Sequence, residues 1–388
     1  MRKLWPFTFY FLLFAGLASV LPFIVLYYQG LGFSGTQIGL LTGIAPLITL
    51  FSAPLWTGLA DATRRHRLMM SIAILGGVIT LFVYPLLSAF VPVLLIAVLL
   101  NAFVAPVTPF ADSATMFMLV GENELYSRIR LGGTIGYGLA ALITGVFVQN
   151  HGLRFAFWGC ATLFLLGFIV SQKLVYGQVK TENPIRGRVR TLLANPRWLL
   201  FLLLAFAGGS ALAAFNNYLF SYMKELGANE SMMGLALMVG MLSEIPVLFF
   251  GNRLIKRLKP YGLLMLSMAF IGLRFLLLAA SGTLGLVLVI QLLNGLTIPA
   301  MWVAGVSYAD ENAPLGMSAT VQGLFNAMFL GFGLAVGGFI GGLLLEGAGG
   351  RGLYFFFGVA VLTIVVIVAL IQRRLLAEQQ IAPSVVID

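Results

Sequence analysis

Three ionisable side chains fall where few ionisable groups belong. Asp112, Glu244 and Arg274 sit inside long apolar runs, whereas the other eleven of the thirteen acidic residues lie at run ends, in hydrophilic gaps or in the C-terminal tail. If those runs cross a membrane, each charge at depth costs at least about 2.5–3.5 kcal/mol, so it is expected to face an internal cavity and a partner. A purely structural ion pair between helices is the competing reading. Asp112 follows Pro106 and Pro109. Two prolines in one helix free backbone carbonyls, which is tolerable only beside protein or water, and an acid just past such a break is placed to meet a hydroxyl-bearing solute. Its expected partner is Arg128 or Arg130, the other being a charge anchor at the membrane surface. Beyond them Gly132, Gly133, Gly136 and Gly138 make a smooth face in which Tyr137 is a packing aromatic or a stacking platform.

Glu244 precedes Pro246, and Arg274 lies near the middle of the next run, so the two are expected to pair across neighbouring helices. Desolvation favours the neutral form of a carboxyl, which makes a buried carboxylate a candidate proton carrier. Asn216, Asn217, Asn294, Thr297, Gln322 and Asn326 add uncharged hydrogen-bonding groups to the second half. They serve either solute binding or interhelical contact.

The elements that must hold these groups are membrane spans. Of 388 residues 60% are hydrophobic and 9% charged, too few charges for a water-facing surface of this size. Twelve runs of about 20 apolar residues fit, at 7–29, 36–60, 68–88, 91–118, 131–149, 155–173, 198–222, 231–251, 261–281, 284–308, 318–345 and 353–372. The net charge of +10 does not form a nucleic-acid patch: with the N-terminus inside, all 23 Lys and Arg except Arg154, Lys224, Arg351 and Arg274 fall on the cytoplasmic side. Met1-Arg2-Lys3 before the first run resembles a signal peptide start but reads as an uncleaved first helix. Cys160 is the single cysteine, His66 and His151 fall at opposite faces, and no phosphate-binding glycine loop occurs. These exclude an intrachain disulfide, a cysteine or histidine metal cluster and ATP-driven transport by this chain.

The chain repeats itself. Leu31-Gly32, Thr36 and Gly39-Leu40 recur 195 residues later as Leu226-Gly227, Ser231 and Gly234-Leu235, and the turn near Gly152 is echoed near Gly352. Such parallel repeats are found in transporters of the major facilitator architecture. The division expected is an N-terminal six-helix bundle (1–173), a basic cytoplasmic linker (174–197) held near anionic lipid, a C-terminal bundle (198–372) and a cytoplasmic tail (373–388).

A family resemblance adds to this. Pro109-Phe110-Ala111-Asp112 and Tyr126-Ser127-Arg128-Ile129-Arg130-Leu131-Gly132-Gly133 resemble the sugar-binding helices of the lactose permease family and, more closely, its phenylpropionate-permease and nucleoside-symporter relatives. Ser243-Glu244-Ile245-Pro246, Phe249-Phe250 and Leu273-Arg274-Phe275 match the same families. The resemblance implies that Asp112 and Arg130 bind solute, that Tyr137 stacks on it, and that Glu244 and Arg274 take part in binding and proton coupling. It also departs: where lactose permeases carry a histidine and a glutamate in helix ten, this chain has Asn294 and Thr297. The segment Gly58 to Arg67 resembles the superfamily loop motif through Asp61 and its basic cluster, Arg64 and Arg65 included, which implies a gating contact. A solvated loop charge is the alternative for Asp61.

The fold expected is therefore an all-α polytopic membrane protein, with twelve transmembrane helices in two pseudo-symmetric six-helix bundles. It would work by alternating access as a proton-coupled symporter of a small polar organic solute such as a sugar, nucleoside or aromatic acid. Solute is expected at Asp112, Arg130, Tyr137, Asn216 and Asn294, and proton coupling at Glu244, Arg274 and Asp112. Gating falls to Asp61, Arg64 and Arg65. No metal and no cofactor are expected; the proton gradient is the energy source. Solute, protons and lipid are the partners, with no nucleic acid, and the chain is expected to be a monomer in a bacterial inner membrane with both termini cytoplasmic. The alternatives are an uncoupled facilitator or an efflux antiporter, and, in another class, a solute-sensing receptor on a transporter fold.

Overall fold

The apolar runs become helices because in hydrocarbon a helix satisfies its own backbone, and the gaps between them carry the turn and cap residues. The computed structural model describes residues 4–119, 125–176, 194–314 and 317–381. Residues 177–193 of the expected linker and 382–388 of the tail lie outside the described residues. The spans are α1 (Leu4–Gly30), α2 (Gly35–Thr63), α3 (His66–Leu86), α4 (Phe90–Met118), α5 (Leu125–His151), α6 (Arg154–Ser171) and α7 (Pro196–Glu225). The helical stretch Glu230–Ala280 is broken by left-handed Lys259 into α8 (230–258) and α9 (260–280). After α10 (Leu284–Glu311), a second long stretch is broken at Gly349 into α11 (318–348) and α12 (350–381).

The 195-residue spacing of the repeat recurs in the turns. Gly32 and Gly227, 195 positions apart, both take positive φ (78° and 87°), and so do Arg64 and Lys259 at the same spacing (55° and 58°). Ser34 and Asn229, again 195 apart, are the N-caps that accept hydrogen bonds from Gln37 and Met232. Gly152 and Gly349 share the left-handed conformation at the α5–α6 and α11–α12 turns. Twelve crossings put both ends of the described chain on one face, called here the terminal face.

The two halves, α1–α6 and α7–α12, meet closely only toward the opposite face. There α2 packs on α11 and α5 on α8 through glycines that leave no room for a side chain. A Cβ on Gly342 would lie 2.4 Å from the Gly35 carbonyl oxygen, and one on Gly234 would lie 2.7 Å from that of Ala141. The hydrogen bonds that cross between the halves among the described residues are all on this side. Thr36 N and Oγ1 donate to Glu346 (2.9 and 3.2 Å), Ser221 to Gln29 (3.2 Å), Ser231 to Gln149, and Thr42 pairs with Tyr218 (3.0 Å). Phe23 and Phe220 meet edge to face at 4.9 Å. Among the glycine contacts between the halves, Leu50–Gly331 and Gly138–Met241, near mid-helix, lie furthest toward the terminal face. Among the described residues the halves are closed on one face and parted toward the other. Outward-facing side chains such as Phe51, Leu55, Ile143, Phe249 and Val366 are exposed, as a lipid-facing surface requires.

Candidate functional site

In the first half, three helices converge on Asp112. The α4 helix turns at Ala105–Pro106, where prolines interrupt the ladder, and restarts at Val107, so that Asp112 points inward one and a half turns later. Tyr10 of α1 donates to Asp112 Oδ1 at 2.5 Å, and Tyr126 of α5 donates to the same oxygen at 2.9 Å. Arg130 Nη1 in turn donates to the Tyr126 hydroxyl at 2.8 Å, while its distance to Asp112 Oδ2 is 3.8 Å. The acid and the arginine thus meet mainly through a shared tyrosine. Both keep an open side, 31% and 46% of their side chains being exposed. Of the two arginines that sequence left open as the partner, the structure selects Arg130; Arg128 is exposed and makes no ion pair among the described residues.

In the second half, the expected direct pair of Glu244 and Arg274 is corrected. Asn294 stands between them: its Nδ2 donates to Glu244 Oε1 at 2.6 Å and its Oδ1 accepts from Arg274 Nη1 at 2.6 Å. Arg274 is 1% exposed, donates further to Thr297 (3.2 Å) and Gln291 (2.5 Å), and lies over the Phe215 ring at 4.1 Å. All three acceptors are neutral, and the ring face adds a cation–π contact.

The local backbone explains this convergence. The α10 helix narrows at Gln291–Leu296 to three residues per turn before resuming at Ile298. In that geometry residues i, i+3 and i+6 eclipse, so Gln291, Asn294 and Thr297 present one polar edge. At 3.6 residues per turn Thr297 would point some 120° away from Gln291. Ser243 of α8 secures the segment, receiving the Gly295 amide at 3.1 Å and donating to the Gln291 carbonyl at 3.3 Å. Gly295 is obligatory there, because a Cβ would lie 2.1 Å from the Ser243 carbonyl oxygen.

Tyr137 of α5 packs with Ala15 and Ala18 of α1 and Leu237 of α8 and lies within electrostatic reach of Glu244. It therefore stands between the halves. Asn216 is exposed on α7, one position from the Phe215 ring under Arg274, whereas Asn294 is buried with both ends of its amide engaged. Asp61, Arg64 and Arg65 are not part of either cluster: they lie at the α2–α3 turn on the terminal face, and Asp61 bonds His66 at 2.8 Å rather than either arginine. Sequence alone marks neither Tyr10 nor Gln291, and it gives Tyr126 and Ser243 only as members of the family-like segments, without a role. The i, i+3, i+6 spacing of Gln291, Asn294 and Thr297 was the available signal for Gln291.

The MFS_1 like family matches residues 5–357. The chain belongs to this family of the major facilitator superfamily. The major facilitator protein is 29% identical to the uncharacterized transporter YwbF of Bacillus subtilis (90% of this chain, 88% of the relative) and 27% identical to a maltose permease of Geobacillus stearothermophilus (94% and 93%). It is 23% identical to a probable 3-phenylpropionic acid transporter of Escherichia coli (87% and 89%). Among solved structures, the nucleoside transporter NupG superposes with a TM-score of 0.87 over 95% of this chain and 99% of that one, at 18% identity, a likeness of fold. As a major facilitator transporter of twelve helices the protein is a multi-pass secondary transporter and not an enzyme.

Proposed function

We propose that this transporter carries a hydroxyl-bearing solute, a sugar or a nucleoside, into the cell in symport with a proton. The observation that carries the reading is the pair of half-open carboxylates at membrane depth, Asp112 in one half and Glu244 in the other, each tied to an arginine through a neutral side chain instead of a tight ion pair. Such a carboxylate retains acceptor capacity for a solute hydroxyl or a proton. Asp112, Arg130, Tyr137 and Asn216 bind solute in the cleft between the halves. An anionic solute would meet two acids, which favours a neutral polyol over an aromatic acid. The relatives, a maltose permease, a probable 3-phenylpropionic acid transporter and, by structure, a nucleoside transporter, cover both classes.

Asn294 belongs to the coupling machinery more than to solute contact, because its amide is the link between Glu244 and Arg274. Protonation of Glu244 removes the negative charge from one end of that link and leaves Arg274 facing neutral acceptors. Charge on the terminal face supports a cytoplasmic assignment for it and for both termini, in a bacterial plasma membrane. The chain is then described closed to the outside and parted toward the cytoplasm. Asp61, Arg64 and Arg65 would act in the rocking between states, Asp61 through its contact with His66.

The experiment is a thermal-shift screen of sugars, nucleosides and aromatic acids, followed by counterflow of each hit in proteoliposomes. Stabilisation and exchange by a neutral polyol support the reading. Hits confined to aromatic acids contradict the substrate class, and binding without exchange indicates a sensor.

A further inference from the structure

A cavity of about 660 Å³ opens on the terminal face between the start of α3 and the segment that follows α6. It is separate from both polar clusters. Three arginines, Arg64, Arg65 and Arg67, line it, and all three are exposed. Arg67 is braced by a 3.2 Å bond from Nη2 to the Leu174 carbonyl, whereas Arg64 and Arg65 have no ion-pair partner among the described residues. The nearby acid, Asp61, is held by His66, so three positive charges face one negative.

Three further features point to an oxygen-rich anion. The α3 helix begins at His66, and the amides of its first turn have no intrahelical acceptor, which puts a partial positive charge at the cavity wall. Tyr176 lines the cavity, is stacked on His66 at 6.2 Å, and has a buried hydroxyl without a hydrogen-bond partner. Gln172, bonded to Ser71 at 3.0 Å, supplies amide and hydroxyl groups on the opposite side. Leu68 and Val175 at the rim are 45% and 44% exposed, a lipid-compatible border to a basic pocket. Arg64 adopts the left-handed backbone conformation, uncommon for a non-glycine residue, which turns its side chain out of the α2 helical path.

We propose that this cavity binds a phosphate group, carried by an anionic phospholipid or by a soluble phosphate ester. Guanidinium forks match phosphate oxygens in paired hydrogen bonds, and the free helix amides and the Tyr176 hydroxyl complete the donor set. The pseudo-symmetric α8–α9 turn provides an internal control. Lys256, Arg257 and Lys259 give it equal charge, but Gly262 stands where the first half has Arg67.

The test uses the full-length purified protein in mixed micelles of phosphatidylglycerol and phosphatidylcholine, with lipid retention read by native mass spectrometry. The wild type is expected to retain phosphatidylglycerol in preference. R64Q/R65Q/R67Q lowers that preference on the order of a hundredfold, given contributions of about 1 kcal/mol per basic residue near an anionic surface. K256Q/R257Q/K259Q leaves it unchanged. Y176F, which removes only an unpartnered hydroxyl, lowers it several-fold while the melting temperature stays at the wild-type value. Displacement of the lipid by glycerol 1-phosphate assigns the site to soluble esters, and persistence of the lipid assigns it to the membrane. Equal loss in both triple variants, or no loss in R64Q/R65Q/R67Q and Y176F, overturns the proposal.

Discussion

Asn294 donates to Glu244 over 2.6 Å while accepting from Arg274 over 2.6 Å, so a single neutral amide joins an acid and a base that do not touch. Asn294→Leu should break this link and leave Arg274 short of an acceptor. The expected result is loss of proton-driven accumulation together with a destabilisation of about 1–3 kcal/mol, read from uptake and from thermal denaturation of the same preparation. Wild-type accumulation in that variant would place coupling elsewhere.

Arg274→Lys tests whether fork geometry matters as well as charge. A lysine places one point charge where the guanidinium serves three acceptors on two nitrogens, and the Phe215 contact weakens. The melting temperature should drop, with Arg274→Ala lower still. A lysine variant with wild-type stability would show that the three hydrogen bonds contribute little.

Asp112→Asn and Arg130→Ala should each abolish solute binding in a protein that remains folded, as seen by calorimetric titration and gel filtration. Tyr10→Phe and Tyr126→Phe should each weaken affinity by about ten- to a hundredfold, the worth of one hydrogen bond to a charged group. Because Tyr126 joins Arg130 to Asp112, the effects of Tyr126→Phe and of the milder Arg130→Lys should be less than additive in a double-mutant cycle. Full additivity would argue that each contacts the solute independently.

Much of the fold was legible because membrane insertion writes itself into hydropathy and into the distribution of Lys and Arg. The repeat at Gly32 and Gly227 was legible too, since a left-handed turn narrows residue choice. The site was less legible. Tyr10 lies in an apolar stretch, and its partner Asp112 is 102 positions away, so nothing local marks it. Nothing in the ordinary helical spacing of the sequence marks Gln291, because a helix of 3.6 residues per turn does not place it beside Thr297; only the narrowed segment does. The direct Glu244–Arg274 pair was a reasonable expectation for neighbouring helices, and it failed because a third helix, α10, supplies the side chain between them.

Closure of the far face rests on bare glycine contacts, so Gly342→Ala should hold the halves apart there. In a Cys160→Ser background with Asn216→Cys as reporter on the exposed side of α7, an impermeant maleimide applied from outside right-side-out vesicles should label several-fold faster in the Gly342→Ala protein. Equal labelling would mean that the interface yields without opening.

Asp61→Asn should slow turnover with little change in equilibrium affinity, because the residue lies at the α2–α3 turn away from both clusters. Counterflow rate and binding isotherm, measured side by side, separate the two effects. A large affinity loss at a normal exchange rate would contradict a gating role.

The most direct test of proton-coupled transport through Glu244 is solute accumulation in proteoliposomes under an imposed pH gradient, wild type against Glu244→Gln, with counterflow at zero gradient as the internal reference. The wild type is expected to accumulate solute uphill, and Glu244→Gln to lose accumulation while keeping counterflow, because the cleft and its gates are intact. Uphill accumulation at the wild-type level in Glu244→Gln, or a wild-type protein indifferent to the gradient, would contradict it.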